Sequence, residues 1–97
     1  MLESFTVDTF SPLIGTSFVM HVDGANSLPL ELVHATSQDR PGSTAGRPFS
    51  VVFRGPRTPV AMQRIYPLEH ATLGVVEIFL VPVGPDEHGM CYEAIFT

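Results

Sequence analysis

Nine prolines and eight glycines break this chain of 97 residues into short stretches, about ten residues apart, the spacing of strands joined by turns. A helix of ordinary length needs a longer uninterrupted run than almost any of these stretches offers. The punctuation therefore predicts a mainly all-β chain of about six antiparallel strands in a meander, closing as a small open barrel or a two-layer sandwich. One domain over residues 1–97 is expected, because a second core would not fit in a chain of this length.

The one helical stretch is expected at about residues 6–13. Thr6 caps a turn or two through Val7, Asp8, Thr9 and Phe10, and Pro12 and Gly15 end it. Its expected role is a plug that covers one end of the barrel with Phe5, Phe10 and Leu13. Ser17 to Val22 then alternates, with Phe18, Met20 and Val22 on one face. Asp23-Gly24 marks a turn, and Leu28, Leu30 and Leu32 share a face on the return, which predicts a hairpin. Residues 38–48 offer little to bury and read as a mobile or binding loop. Phe49, Val51 and Phe53 restore the alternation up to Gly55-Pro56. Ile65 to His70 contains Pro67, which cannot donate to a ladder and so suggests an edge strand or a bulge. Val75 to Val83 is the most apolar run, interrupted only by Glu77, and is expected to be covered on both faces, by the opposite layer and by the helix or a neighbouring protomer. In the last stretch Met90, Tyr92, Ala94 and Phe96 share a face.

Composition narrows the function classes. Hydrophobic residues make up 44% and charged residues 15%, the balance of a chain that folds. Ten acids against five bases give a net charge of −5, which argues against a nucleic-acid partner. All the bases are arginine, so a lysine nucleophile or Schiff base is excluded. Cys91 has no cysteine to pair with, no apolar run reaches the roughly 20 residues of a membrane helix, and the first residues lack the basic start of a signal peptide. The expectation is a cytoplasmic protein with no membrane partner.

Sites of chemistry are sparse. His21, His34, His70 and His88 form no short metal-binding pair, and no glycine-rich phosphate loop follows any strand, so neither a metal nor a cofactor is expected. Cys91 lies three residues after His88, but no strained elbow or oxyanion turn accompanies it, and it reads as a packing residue. Asp86-Glu87 falls in a turn, where acids are commonly solvated. Glu77 either faces outward or pairs with Arg54 or Arg64, since an unpaired buried carboxylate is costly. Arg40, Arg47, Arg54, Arg57 and Arg64 all fall in one quarter of the chain, where they bind an anion or acidic partner or neutralise the surrounding acids.

The second half carries Phe53-Arg54-Gly55-Pro56, Tyr66-Pro67-Leu68-Glu69-His70, Leu73-Gly74, Phe79-Leu80-Val81-Pro82-Val83-Gly84-Pro85-Asp86 and Gly89-Met90 followed by Tyr92-Glu93-Ala94-Ile95-Phe96. With Phe10, Leu13 and Gly15, this pattern resembles a family of small bacterial domains of unknown function, over nearly the whole chain. The resemblance implies a standalone domain of about this length with no catalytic residue to carry over. It also implies an accessory role beside phage tail-collar-like proteins, in a tail-like or surface assembly. Cys91 departs from the pattern, where a polar residue is expected.

The functional expectation is a non-enzymatic β-domain that works by protein contact or self-association, through a sheet edge or a self-complementary face. No catalytic residue is assigned. Arg54, Arg57, Arg64, Glu69, His70 and Glu93 are the binding candidates. The alternative is a barrel that binds a small ligand or hydrolyses it, with His70, Glu69, Glu93 and His88 around an internal cavity.

Overall fold

A computed structural model describes residues 5–37 and 48–96. The expected loop at residues 38–48 therefore lies, except for Pro48, outside the described residues. A one-turn helix α1 (Val7–Phe10) runs into a 3-10 turn (Ser11–Leu13). Six strands follow: β1 (Ser17–His21), β2 (Ser27–Ser37), β3 (Phe49–Gly55), β4 (Arg64–His70), β5 (Gly74–Pro85) and β6 (Met90–Phe96). At the helix start the Thr6 N–H donates to Thr9 Oγ1 at 3.1 Å and the Thr9 N–H donates to the Thr6 carbonyl at 2.9 Å.

Every pair of neighbouring strands is antiparallel, and the sheet closes on itself in the order β1-β2-β3-β6-β5-β4. The all-β expectation with one short N-terminal helix therefore holds, and closure is complete. The order departs from a plain meander at one connection. After β3 the chain crosses one end of the barrel, past β6 and β5, and enters β4, which pairs with both β5 and β1.

Closure refines two local expectations. As a whole β4 is not an edge strand, because it has a neighbour on each side, but Pro67 itself is paired only on the β5 side. Its missing donor is accommodated at the seam: β1 and β4 pair only at Val19 with Glu69 and Met20 with Leu68, one residue short of Pro67, while the β5 ladder continues through Pro67 opposite Glu77. Among the described residues the Val75–Val83 run is covered on one face only. In a closed barrel each strand has one inner face, so Ile78 and Leu80 are buried while Val75, Phe79 and Val83 face out. The helix plugs the end of the barrel, as expected of Phe5, Phe10 and Leu13, and so does not lie over this run.

Side chains fill the interior. Phe18, Met20, Leu30, Leu32, Val51, Phe53, Leu68, Ile78, Leu80 and Tyr92 are all buried, and each large apolar residue contributes about 1.5–3 kcal/mol relative to exposure. At one end Phe10 plugs the barrel, its ring 5.9 Å from Phe49 and 5.5 Å from Phe96, with Phe5 edge-on at 5.6 Å. Towards the other end two buried tyrosines anchor the β3–β4 crossover. Ala61 N–H donates to Tyr92 Oη at 2.9 Å, and Tyr66 Oη donates to the Met62 carbonyl at 2.6 Å. Gly89 is required by close approach: a Cβ there would overlap the Gly55 carbonyl oxygen and sit 3.2 Å from Arg54 Cγ.

Candidate functional site

The sequence candidates separate into two bonding groups and one face. The first group stitches the seam between β1 and β4. Alternation turns His70 inward, where its ring lies 4.4 Å from that of Phe18. Its Nδ1 accepts the Thr72 N–H at 3.0 Å, so Nε2 carries the proton and donates to Thr16 Oγ1 at 2.9 Å. The Thr16 hydroxyl in turn donates to the Leu13 carbonyl at 2.6 Å. Glu69 points the opposite way and accepts from His21 Nε2 at 3.0 Å on the outside. Arg64 lies over the Tyr66 ring, 4.7 Å from its centroid, and donates to the Val22 carbonyl at 2.7 Å. Thr16, His21 and Val22 belong to β1 and its flanks, and the three candidates belong to β4. Side chains thus supply at this seam what its short backbone ladder lacks.

The second group centres on Asp86, in the turn between β5 and β6. Its Oδ1 accepts the backbone N–H groups of His88 at 2.8 Å and Gly89 at 3.0 Å. Arg54 donates through Nε at 2.9 Å and through Nη2 at 2.5 Å to Oδ2, and Arg57 donates to the Asp86 carbonyl at 2.7 Å. The Arg54 guanidinium, and after it the His88 amide, hold the Asp86 carboxyl well below the usual carboxylate range, and Asp86 raises Arg54 in return. The half-buried Cys91 thiol reaches Asp86 Oδ2 at 3.5 Å, and burial followed by that carboxylate pushes its pKa up. A thiol held protonated is a weak nucleophile.

One expectation about charge changes accordingly, and one alternative drops out. Asp86 is the most heavily bonded acid of the described residues rather than a solvated one. Its signal in the sequence was the Asp-x-x-Gly spacing of Asp86 and Gly89, in which the aspartate bonds the amides ahead of it. Of the two alternatives for Glu77 the outward one holds: it is exposed, while Arg54 is bonded to Asp86 and Arg64 to the Val22 carbonyl.

What remains is the outer face of β4, β5 and β6. Ile65 stands directly opposite Phe79, Val75 opposite Glu69, Glu77 opposite Pro67, and Val81 opposite Glu93. Ile65, Val75, Phe79, Val83 and Ile95 are each between 48% and 63% exposed. Glu93 therefore lies on this face, Glu69 at its border with β1, and His70 inside the barrel, so these three do not share a site. Among the described residues no three His, Cys, Asp or Glu side chains converge as metal ligands would. A separate groove of about 450 Å³ lies between the β1–β2 hairpin and the crossover, lined by Val22, Leu28, Pro59, Val60 and Ala61 with Asn26 and Ser27.

Comparison with curated proteins and with solved structures returned no match. A family model described as a domain of unknown function, DUF6916, matches residues 5–96, and the chain belongs to that family.

Proposed function

We propose that this domain acts by protein–protein contact through the outer face of β4, β5 and β6, without chemistry of its own. The observation that carries the reading is the Ile65–Phe79 pair. These two large apolar side chains oppose each other on the outside of a barrel whose interior is already filled. Large exposed apolar side chains that adjoin on the outside of a filled barrel point to an interaction surface. The bonding of the other candidates supports a non-enzymatic role, because His70, Arg54, Arg57 and Arg64 are engaged within the fold and the Cys91 thiol is kept protonated. On the resemblance to small bacterial domains that accompany tail-collar-like proteins, the contact belongs to an accessory of a phage-tail-like or surface assembly, with the domain itself cytoplasmic.

The test is capture from a lysate of its own host on the immobilised domain, with Phe79→Asp and Val60→Asp beside the wild type. Both substitutions are at exposed positions, and circular dichroism checks that each variant keeps its fold. Phe79→Asp is expected to lower recovery of the partner by at least about tenfold, whereas Val60→Asp, on the groove side, leaves it unchanged. Undiminished capture by Phe79→Asp overturns the reading, and the identity of the captured protein decides the assembly.

A further inference from the structure

We propose that the partner of this face is a different protein, one that presents an apolar surface studded with arginine or lysine, and that the glutamates of the face keep a second copy of this chain away. The inference rests on reading the outer face of β4, β5 and β6 as the contact surface.

Acids bracket the apolar pair along β5. Glu77 lies two residues before Phe79 and opposite Pro67, and Glu93 on β6 stands opposite Val81, two residues after Phe79. Neither Glu77 nor Glu93 has a hydrogen bond or ion pair among the described residues, whereas Glu69 at the border is already bonded to His21. No base among the described residues answers them from this face. Arg54 and Arg57 are held at the Asp86 turn, and Arg64 is turned over Tyr66 and bonded to the Val22 carbonyl.

Any protein that covers Phe79 removes water from both carboxylates, and an unanswered carboxylate in a dry contact is costly. A twofold contact presents the same patch from both sides. Two copies packed face to face would therefore bring Glu77 and Glu93 against carboxylates and gain nothing electrostatic for their desolvation. A partner with guanidinium or ammonium groups around an apolar centre answers the same carboxylates with charge-assisted bonds. The acids thus act as specificity residues: they repel the self-contact that the apolar pair alone would allow.

Sedimentation of the wild type, Glu77→Gln/Glu93→Gln and the same double variant carrying Phe79→Asp tests the repulsion. The wild type is expected to be monomeric at neutral pH, and the double variant to self-associate at least about tenfold more tightly. Adding Phe79→Asp returns it to monomer. Two synthetic strand peptides, alternating valine–arginine and alternating valine–glutamate, test the partner's chemistry by fluorescence anisotropy. The arginine peptide is expected to bind, with affinity that falls as salt rises and is lost in Phe79→Asp, and the glutamate peptide is not. A wild-type dimer that Phe79→Asp breaks, a double variant that stays monomeric, or equal affinity for the two peptides overturns the inference and leaves the contact reading standing. If Phe79→Asp changes neither peptide binding nor association, it is the contact reading that fails.

Discussion

Asp86 shows how one side chain in a turn can join distant parts of a barrel. It caps its own turn through the His88 and Gly89 amides, and its other oxygen takes the Arg54 guanidinium from β3, 32 residues earlier in the chain. A carboxyl whose pKa is depressed in the folded state contributes stability above its unfolded value, about pH 4, and loses that contribution as the pH falls toward the folded value. Asp86→Asn is therefore expected to lower the melting temperature at pH 7 and to flatten the acid limb, since the variant has no such carboxylate to titrate. Thermal melts from neutral pH down to about pH 2 check this, and an acid limb as steep as that of the wild type would refute it. The sequence displayed the aspartate and its glycine but not its arginine. An Asp in a Gly/Pro turn looks solvated until the strand that folds beside it is known.

At the scale of the strands, the two-residue period was readable because the interior of a barrel admits one face of each strand and excludes the other. Phe18 and Met20, Leu30 and Leu32, Phe49, Val51 and Phe53, and Tyr92 and Ala94 all point inward as their alternation implies. The outward apolar residues of β5 were harder to place, because Val75, Phe79 and Val83 read the same whether a layer covers them or not. The pairing of β1 with β4 was illegible for another reason: no local pattern links residues as far apart as His21 and Glu69, or Thr16 and His70. That seam has the shortest ladder in the barrel, only Val19–Glu69 and Met20–Leu68, and relies on side chains at both ends. Amides of β1 are expected to exchange with solvent sooner than those of β3 and β6, which pair along their whole length from Phe49–Phe96 to Gly55–Met90. Thr16→Val removes the acceptor for His70 and is expected to speed β1 exchange by roughly fivefold, the equivalent of one hydrogen bond of about 1 kcal/mol. Hydrogen exchange followed residue by residue would contradict this if β3 and β6 opened first.

For the whole molecule, closing the sheet removes every edge but leaves two ends, and each end has its own stopper. The crossover between β3 and β4 is held by the tyrosine hydroxyls, whereas the opposite end depends on apolar contact with the N-terminal helix. Phe10 is that contact. Its side chain is fully buried against Phe49 and Phe96, although it stands on a helix of four residues with no stability of its own. The helix and the barrel end therefore stabilise each other: without the ring the helix has nothing to lie on, and the core rings behind it meet water. Phe10→Ala is expected to cost about 3–5 kcal/mol, a large share of the roughly 5–15 kcal/mol that holds a domain together. At about 4–8 °C per kcal/mol for a chain of this size, the melting temperature falls by about 10 to 40 °C. Phe10→Leu, which refills most of the volume, is expected to recover most of the loss. Urea unfolding distinguishes the alternatives: an unchanged slope with a much lower midpoint means that plug and barrel unfold as one unit. A midpoint within a few tenths molar of the wild type would mean that the barrel closes this end without Phe10.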